Sequence, residues 1–288
     1  MKAAPFAYSA PRSLDEAITI LGQYEDEAKV LAGGQSLVPV LAMRLSRFEQ
    51  LVDLQHVPGL VGVTRSDGTV RVAAMTTHAD VGRAADSAAV PLLVTATPFI
   101  GHDAIRNRGT LGGAIAHADP AAEWPAVALA LGAELEITGP DGTRTVPAAD
   151  FFHGTWTTAL EPAEVLVAAH FPVWEGDTGF AVEEAARRHG DFAMAGVVCG
   201  VRVADGRIDR ATLAFLGVDG TPVRAHAAET ALTGAAVDGL DIAGAAAAAV
   251  EGLTPPDDLH ASSGQRVRMS RALAQRAITN AIKEATGV

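Results

Sequence analysis

Apolar positions along this chain change period several times, and each change marks an element. Leu14, Ala17, Ile18 and Leu21 repeat at helical spacing behind Ser13, a capping residue type, and predict a first helix after a short leader. Lys29 to Ala32 reads as a strand and residues 33–36 as a turn. Leu37, Leu41 and Leu45 then form an i, i+4, i+8 stripe, with Pro39 in the first turn where its missing N–H does no harm. Leu51 to Leu54 gives a further strand and closes a small β-α-β unit near Gln55.

From His56 to about Pro172 the pattern shifts to short strands and tight turns, with Asp67-Gly68 and Asp141-Gly142 as hairpin signals. Helices are expected over residues 79–85 and 92–100, and again from Asp119-Pro120 to a stop at Gly132, followed by a strand over residues 133–138. The segment 172–179 mixes Pro, Gly and charges and predicts a domain boundary. Beyond it lie strands at 193–203 and 210–217, a shorter edge strand near 180–184, and helices at 225–232, 242–252 and 263–285. Strands first and helices afterwards indicate an α+β unit, because a parallel sheet needs βαβ alternation.

The 288 residues exceed one ordinary core, so two domains, 1–176 and 177–288, are expected, the first with lobes of about 1–55 and 56–176. Hydrophobic residues make up 49% and charged residues 19%, which suits a packed globular protein. With 34 acidic against 22 basic residues the net charge is −12, which argues against a nucleic-acid partner. The start of the chain has no apolar signal region, and the alanine-rich stretch 243–250 is too short to span a bilayer, so a cytoplasmic protein is expected. Cys199 is the only cysteine and sits in an apolar run, so this chain cannot ligate a four-thiolate iron–sulfur cluster.

Two glycine-rich turns carry the candidate chemistry. Ala32-Gly33-Gly34-Gln35-Ser36 and Thr110-Leu111-Gly112-Gly113 lie about 80 residues apart, each after an apolar run and before a stretch able to start a helix or turn. Glycine reaches conformations and close approaches that a Cβ forbids, so backbone N–H groups can converge on an anion. No lysine lies in either turn, so a pyrophosphate held here is gripped mainly by backbone dipoles. Ser36 and Thr110 are both placed to cap the following segment. An ordinary tight turn remains the alternative for each loop taken alone.

Other chemistries fail on spacing. No Gly-Lys-Ser/Thr ending exists for a P-loop, and Gly109-x-x-Gly112-Gly113 is not G-x-G-x-x-G, although Glu134 stands where a ribose-binding acid of a dinucleotide fold can fall. The nine histidines form no metal signature, His117 reads as structural, and no G-x-S-x-G nucleophile motif is present. Asp119 and Glu123 are four apart at a predicted helix start. They serve either as capping and dipole-compensating acids or as acceptors for sugar or ribityl hydroxyls. Arg106 and Arg108 either steady phosphates or face solvent.

Four segments together resemble one family: 32-AGGQSL-37, 105-IRNRGTLGG-113, 116-AHADPAAE-123 and 187-RRHGDFA-193, with further matches at 222–224 and 258–262. The chain is similar throughout to the FAD-binding medium subunit of the molybdenum hydroxylases, the group of carbon monoxide dehydrogenase, quinoline oxidoreductase and xanthine dehydrogenase. The resemblance implies an α+β chain: a two-lobed FAD-binding domain of the vanillyl-alcohol oxidase (PCMH) type, then a small domain with a three-stranded antiparallel sheet and helices. It implies that Ala32, Gly33, Gly34, Gln35, Ser36, Thr110, Leu111, Gly112, Gly113 and Ala114 hold the pyrophosphate. Asp119 and Glu123 would hold the ribityl and ring-proximal region, Leu166 or Val167 would back the isoalloxazine, and Phe192 would lie near it. No catalytic residue and no metal ligand is expected in this chain, because the cofactor carries the chemistry. [2Fe–2S] clusters and a molybdopterin cofactor are expected in small and large partner subunits of a dimer of heterotrimers, and the leaning is towards an aromatic N-heterocycle as substrate. A self-sufficient FAD oxidase or reductase, and a non-catalytic nucleotide-binding module, are the alternatives. Ala114, Glu183 and Gln265 depart from residues common in the family, and Glu183 weakens NAD as electron acceptor.

Overall fold

The computed structural model describes residues 2–287, and three main sheets order the chain, beside a two-stranded one made by Phe152–Gly154 and Thr157–Thr158. Ala28–Leu31 and Gln50–Asp53 pair in parallel, as a β-α-β unit requires, and Ala7–Ser9 adds a third parallel strand on the far side of Gln50–Asp53. That first strand lies in the stretch expected to be a short leader. Phe6 and Tyr8 are exposed, so no apolar alternation announces it, and it is fixed instead by the Tyr8 hydroxyl donating to Asp53 Oδ2 at 2.6 Å. The helix Leu14–Tyr24 buries Ala17, Ile18 and Leu21, and Ser13 caps it by accepting from the Glu16 N–H at 3.1 Å. The helix after the first glycine turn is shorter than its leucine stripe suggests: it spans Leu37–Ala42, buries only Leu41, and leaves Leu45 exposed.

The second lobe is a five-stranded antiparallel sheet in the order Val63–Ser66, Thr69–Ala73, Val165–Pro172, Glu134–Gly139, Gly142–Pro147. The helix Glu123–Leu131 is buried on every side from Trp124 onward. Its sequence is apolar all round because it packs both on this sheet and on the C-terminal one. Gly132 ends it in the left-handed conformation, φ 66°. The helix does not start at Asp119-Pro120, as its sequence suggests, but four residues later.

The C-terminal sheet has four strands rather than three: Asp177–Ala185, Ala195–Ala204, Arg207–Leu216 and the two-residue Val223–Arg224. Its first strand is nine residues long and takes in Gly179, which the sequence places in the linker. The long helix Ser263–Thr286 crosses the outer face, burying Leu273, Ala274, Ala277, Ile278 and Ala281. Gly179 permits that close approach, since a Cβ there would overlap the Ala281 carbonyl. The inner face contributes Phe180, Val182, Val198, Ala214 and Leu216 to the core of the second lobe, so one apolar cluster runs from Val70 to Leu216. Cys199 is fully buried facing the outer cluster, where burial pushes its thiol far up and leaves it unreactive.

Candidate functional site

The two glycine turns come from different lobes and meet backbone to backbone. A Cβ on Gly33 would overlap the Arg108 carbonyl oxygen and come 2.6 Å from the Gly109 Cα. A Cβ on Gly113 would lie 3.2 Å from that of Ala32. Gly34 takes φ 71°, a left-handed conformation that lets the chain turn from strand into helix.

The turns divide the work unequally. In the second, the N–H groups after Thr110 are already engaged: Leu111 donates to the Thr76 carbonyl at 3.0 Å, Gly112 to Ala74 at 2.9 Å, and Gly113 to the Thr110 hydroxyl at 3.0 Å. Thr110 therefore caps the helix Leu111–His117 as its position suggests. In the first turn, no hydrogen bond among the described residues engages the N–H of Gly33, Gly34, Gln35 or Ser36. Ser36 makes no cap bond either, because its own backbone is already helical (φ −95°, ψ −47°). The first turn thus supplies the free donors, and the second supplies a rigid wall whose lack of Cβ atoms lets the first come close. A pyrophosphate fits this cradle: four unpaired N–H groups, no acid in either turn, and a seam that side chains would fill.

His78, which sequence patterning did not single out, underpins the wall. Its N–H donates to the Gly109 carbonyl at 3.0 Å, and its Nδ1 accepts from the Trp124 indole N–H at 2.8 Å. Burial, with Arg106 adding repulsion, pulls the ring down to about 4. The folded ring therefore stays neutral while the unfolded ring charges near 6.5. Its stabilising contribution is complete above pH 6.5 and lost as pH falls toward 4, about 3 kcal/mol in all. Histidine-selective NMR is expected to show a ring that stays neutral down to about pH 4.

Downstream of the second turn, Ala118 ends the helix in the left-handed conformation (φ 51°). Asp119 closes a local turn by accepting from the Ala121 N–H at 2.9 Å. Asp119 and Glu123 are therefore turn and helix start, not one helix face. His117 stacks on Trp156 at 6.1 Å and 12°. Glu123 is half-buried, and loss of hydration pushes its carboxyl up to about 7, opposed by its own backbone N–H and assisted by the Asp119 charge.

The remaining sequence candidates separate from this cluster. Val167 is the extra residue of a bulge that Leu166 precedes, and the two sit in different apolar cores, 3% and 4% exposed. Phe192 is 70% exposed in the loop between the first two C-terminal strands. Arg106 is taken up by the carbonyls of Ile100 and Gly101 and by Asp103, so it braces a loop. Gln265 completes a capping box with Ser262, and Glu183 ties its strand to the long helix through Arg276 at 3.3 Å and Asn280 at 2.9 Å. Among the described residues no group of three His, Cys, Asp or Glu side chains is placed to hold a metal, and no helix is long and apolar enough to cross a membrane.

Comparison with known proteins agrees with this geometry. Residues 4–174 match the family described as FAD binding domain in molybdopterin dehydrogenase, and residues 180–281 match the CO dehydrogenase flavoprotein C-terminal domain. The alpha subunit of the 6-hydroxypseudooxynicotine dehydrogenase complex of Paenarthrobacter nicotinovorans is 38% identical over 99% of this chain and 97% of its own. Among solved structures, the Hydrogenophaga pseudoflava carbon monoxide dehydrogenase lacking the Mo-pyranopterin moiety superposes with a TM-score of 0.96 at 38% identity, covering 99% of each chain. Quinoline 2-oxidoreductase of Pseudomonas putida 86 gives 0.93 at 39% identity, covering 100% of this chain and 99% of that one. The chain belongs to the FAD-binding medium subunits of the molybdenum hydroxylases and is an oxidoreductase flavoprotein subunit.

Proposed function

We propose that this chain takes electrons from the [2Fe–2S] clusters of a small partner subunit and passes them through FAD to an external acceptor. A large molybdenum subunit oxidises the substrate, for which an aromatic N-heterocycle is the favoured class, and the whole works as a dimer of heterotrimers in the cytoplasm. The observation that carries this reading is the seam between the two turns, where Gly33 abuts Arg108 and Gly109 and four N–H groups stay unclaimed. The lone, buried Cys199 supports the division of labour, since the clusters need thiolates that this chain lacks. The quinoline and 6-hydroxypseudooxynicotine relatives support the substrate class.

FAD supplies reversible two-electron chemistry when bound, and the protein positions it. Residues 32–36 offer N–H donors to the pyrophosphate, with residues 110–114 closing the opposite side. Asp119 and Glu123 face the ribityl region, Leu166 or Val167 backs the ring from the sheet, and Phe192 approaches it from the second domain, 177–288. The native complex is expected to contain about one FAD per copy of this chain, with a flavin absorbance that quinoline-type substrate bleaches. A native complex devoid of FAD would overturn the proposal, and substrate turnover by this chain alone would point to a self-sufficient flavoenzyme instead.

A further inference from the structure

The loop that carries Phe192 meets the FAD-binding domain at His102. Residues 186–194 join the strands Asp177–Ala185 and Ala195–Ala204, with the Met194 N–H closing the base on the Ala185 carbonyl at 2.8 Å and the Asp191 N–H turning the tip on the Arg188 carbonyl at 3.2 Å. Among the described residues no hydrogen bond ties residues 188–192 to any other part of the chain. The seat is steric instead. Gly190, at φ 84°, lies so close to the His102 ring that a Cβ would come 2.5, 2.6 and 3.0 Å from its Cε1, Nδ1 and Nε2, so both the left-handed backbone and the bare Cα are needed for the approach. His189 meets the same ring edge to face, with centroids 6.5 Å apart and planes at 68°.

The backbone beneath that ring is fixed on both sides. The His102 carbonyl accepts from the Ile105 and Arg106 N–H groups, each at 2.9 Å, and so starts the helix Asp103–Arg106. The Arg106 guanidinium holds the Ile100 and Gly101 carbonyls just before it. Just after it, the Ile105 carbonyl accepts from the Gly109 N–H at 2.7 Å, and Gly109 is the residue whose Cα abuts Gly33. The ring that seats the loop and the wall that backs the first turn thus belong to one braced segment, residues 100–109. Phe192 packs into none of the apolar clusters, so its position follows from the seat of its loop.

We propose that His102 is a positioning residue: its ring seats the loop 186–194 of the C-terminal domain on the segment that leads into the second glycine turn, and so sets where Phe192 stands at the cofactor site. The part concerning the cofactor rests on the FAD assignment above; the seat does not. The role needs a flat ring and no charge, since no hydrogen bond or ion pair among the described residues engages the His102 side chain.

Limited trypsin digestion of the full chain reads the seat at Arg187 and Arg188, both exposed beside it. His102 is itself exposed, so its variants keep the core intact. His102→Ala is expected to speed cleavage there by roughly 2- to 12-fold, the range of a lost ring contact, because cleavage follows the population of the opened loop. His102→Phe keeps a flat ring and is expected to cut at the wild-type rate. Gly190→Ala drives a methyl group onto the ring and frees the loop as well, but in the His102→Ala background it adds only the strain of φ 84°, so the two losses are less than additive. In the native complex the visible circular-dichroism band of bound FAD is expected to change in His102→Ala and to return in His102→Phe, a signature that loss of stability alone would not move. Wild-type cleavage in His102→Ala, additive losses, or an FAD band unmoved by His102→Ala overturns the proposal. A native complex lacking FAD would instead overturn the cofactor assignment while leaving the cleavage result intact.

Discussion

Gly33→Ala is expected to release most of the FAD. The methyl group would be driven into the Arg108 carbonyl and the Gly109 Cα, both backbone atoms that cannot rotate aside, so the turns must separate. Overpacking of this kind costs about 1–3 kcal/mol, a loss of roughly 5- to 150-fold in affinity if it falls on binding. Gly34→Ala meets only the Val38 and Leu31 side chains, at 3.2 and 3.3 Å, and pays chiefly the strain of φ 71°, about 1 kcal/mol. Flavin content after gel filtration should therefore fall further for Gly33→Ala than for Gly34→Ala. Wild-type FAD retention in Gly33→Ala would sink the cradle described above.

Arg266→Met is expected to be the most damaging change away from the turns. This buried guanidinium joins the Met194 and Gly217 carbonyls (the latter at 2.8 Å) to Asp258 at 2.5 Å, and so ties the long helix to two loops of the C-terminal sheet. Backbone N–H bonds from Ala261 and His260, together with Arg266, hold the Asp258 carboxyl down to about 2. Asp258 is 40% exposed, so the ion pair itself contributes little. The loss of about 2–4 kcal/mol comes mainly from carbonyls left buried without a donor. Urea denaturation should show the lower midpoint, and trypsin should cut faster after Arg187 or Arg188 in the neighbouring exposed loop. An unchanged midpoint would refute the bracing role.

What could be read in advance was what steric necessity writes into residue identity. Glycines at 33, 34, 112 and 113 are compelled by contacts and by a positive φ, so the two turns were legible. The N-cap at Thr110 and the stop at Gly132 were legible for the same reason. Ser36 misled because a capping residue type is no guarantee of capping geometry: its backbone had already entered the helix. The spacing of Asp119 and Glu123 misled because Ala118 in the left-handed region and the Asp119 turn delay the next helix. His78 carried no motif, since its significance depends on Trp124, 46 residues away.

The apolar cluster that runs from Val70 to Leu216 limits the modularity of this chain. The two matched families meet between residues 174 and 180, yet the inner face of the C-terminal sheet completes the packing around Trp124 and Leu131. A chimera that joins the first 176 residues of this chain to the tail of a distant relative would inherit mismatched halves of one interior. It should recover solubility only when Phe180, Val182, Val198, Ala214 and Leu216 are transplanted along with their partners.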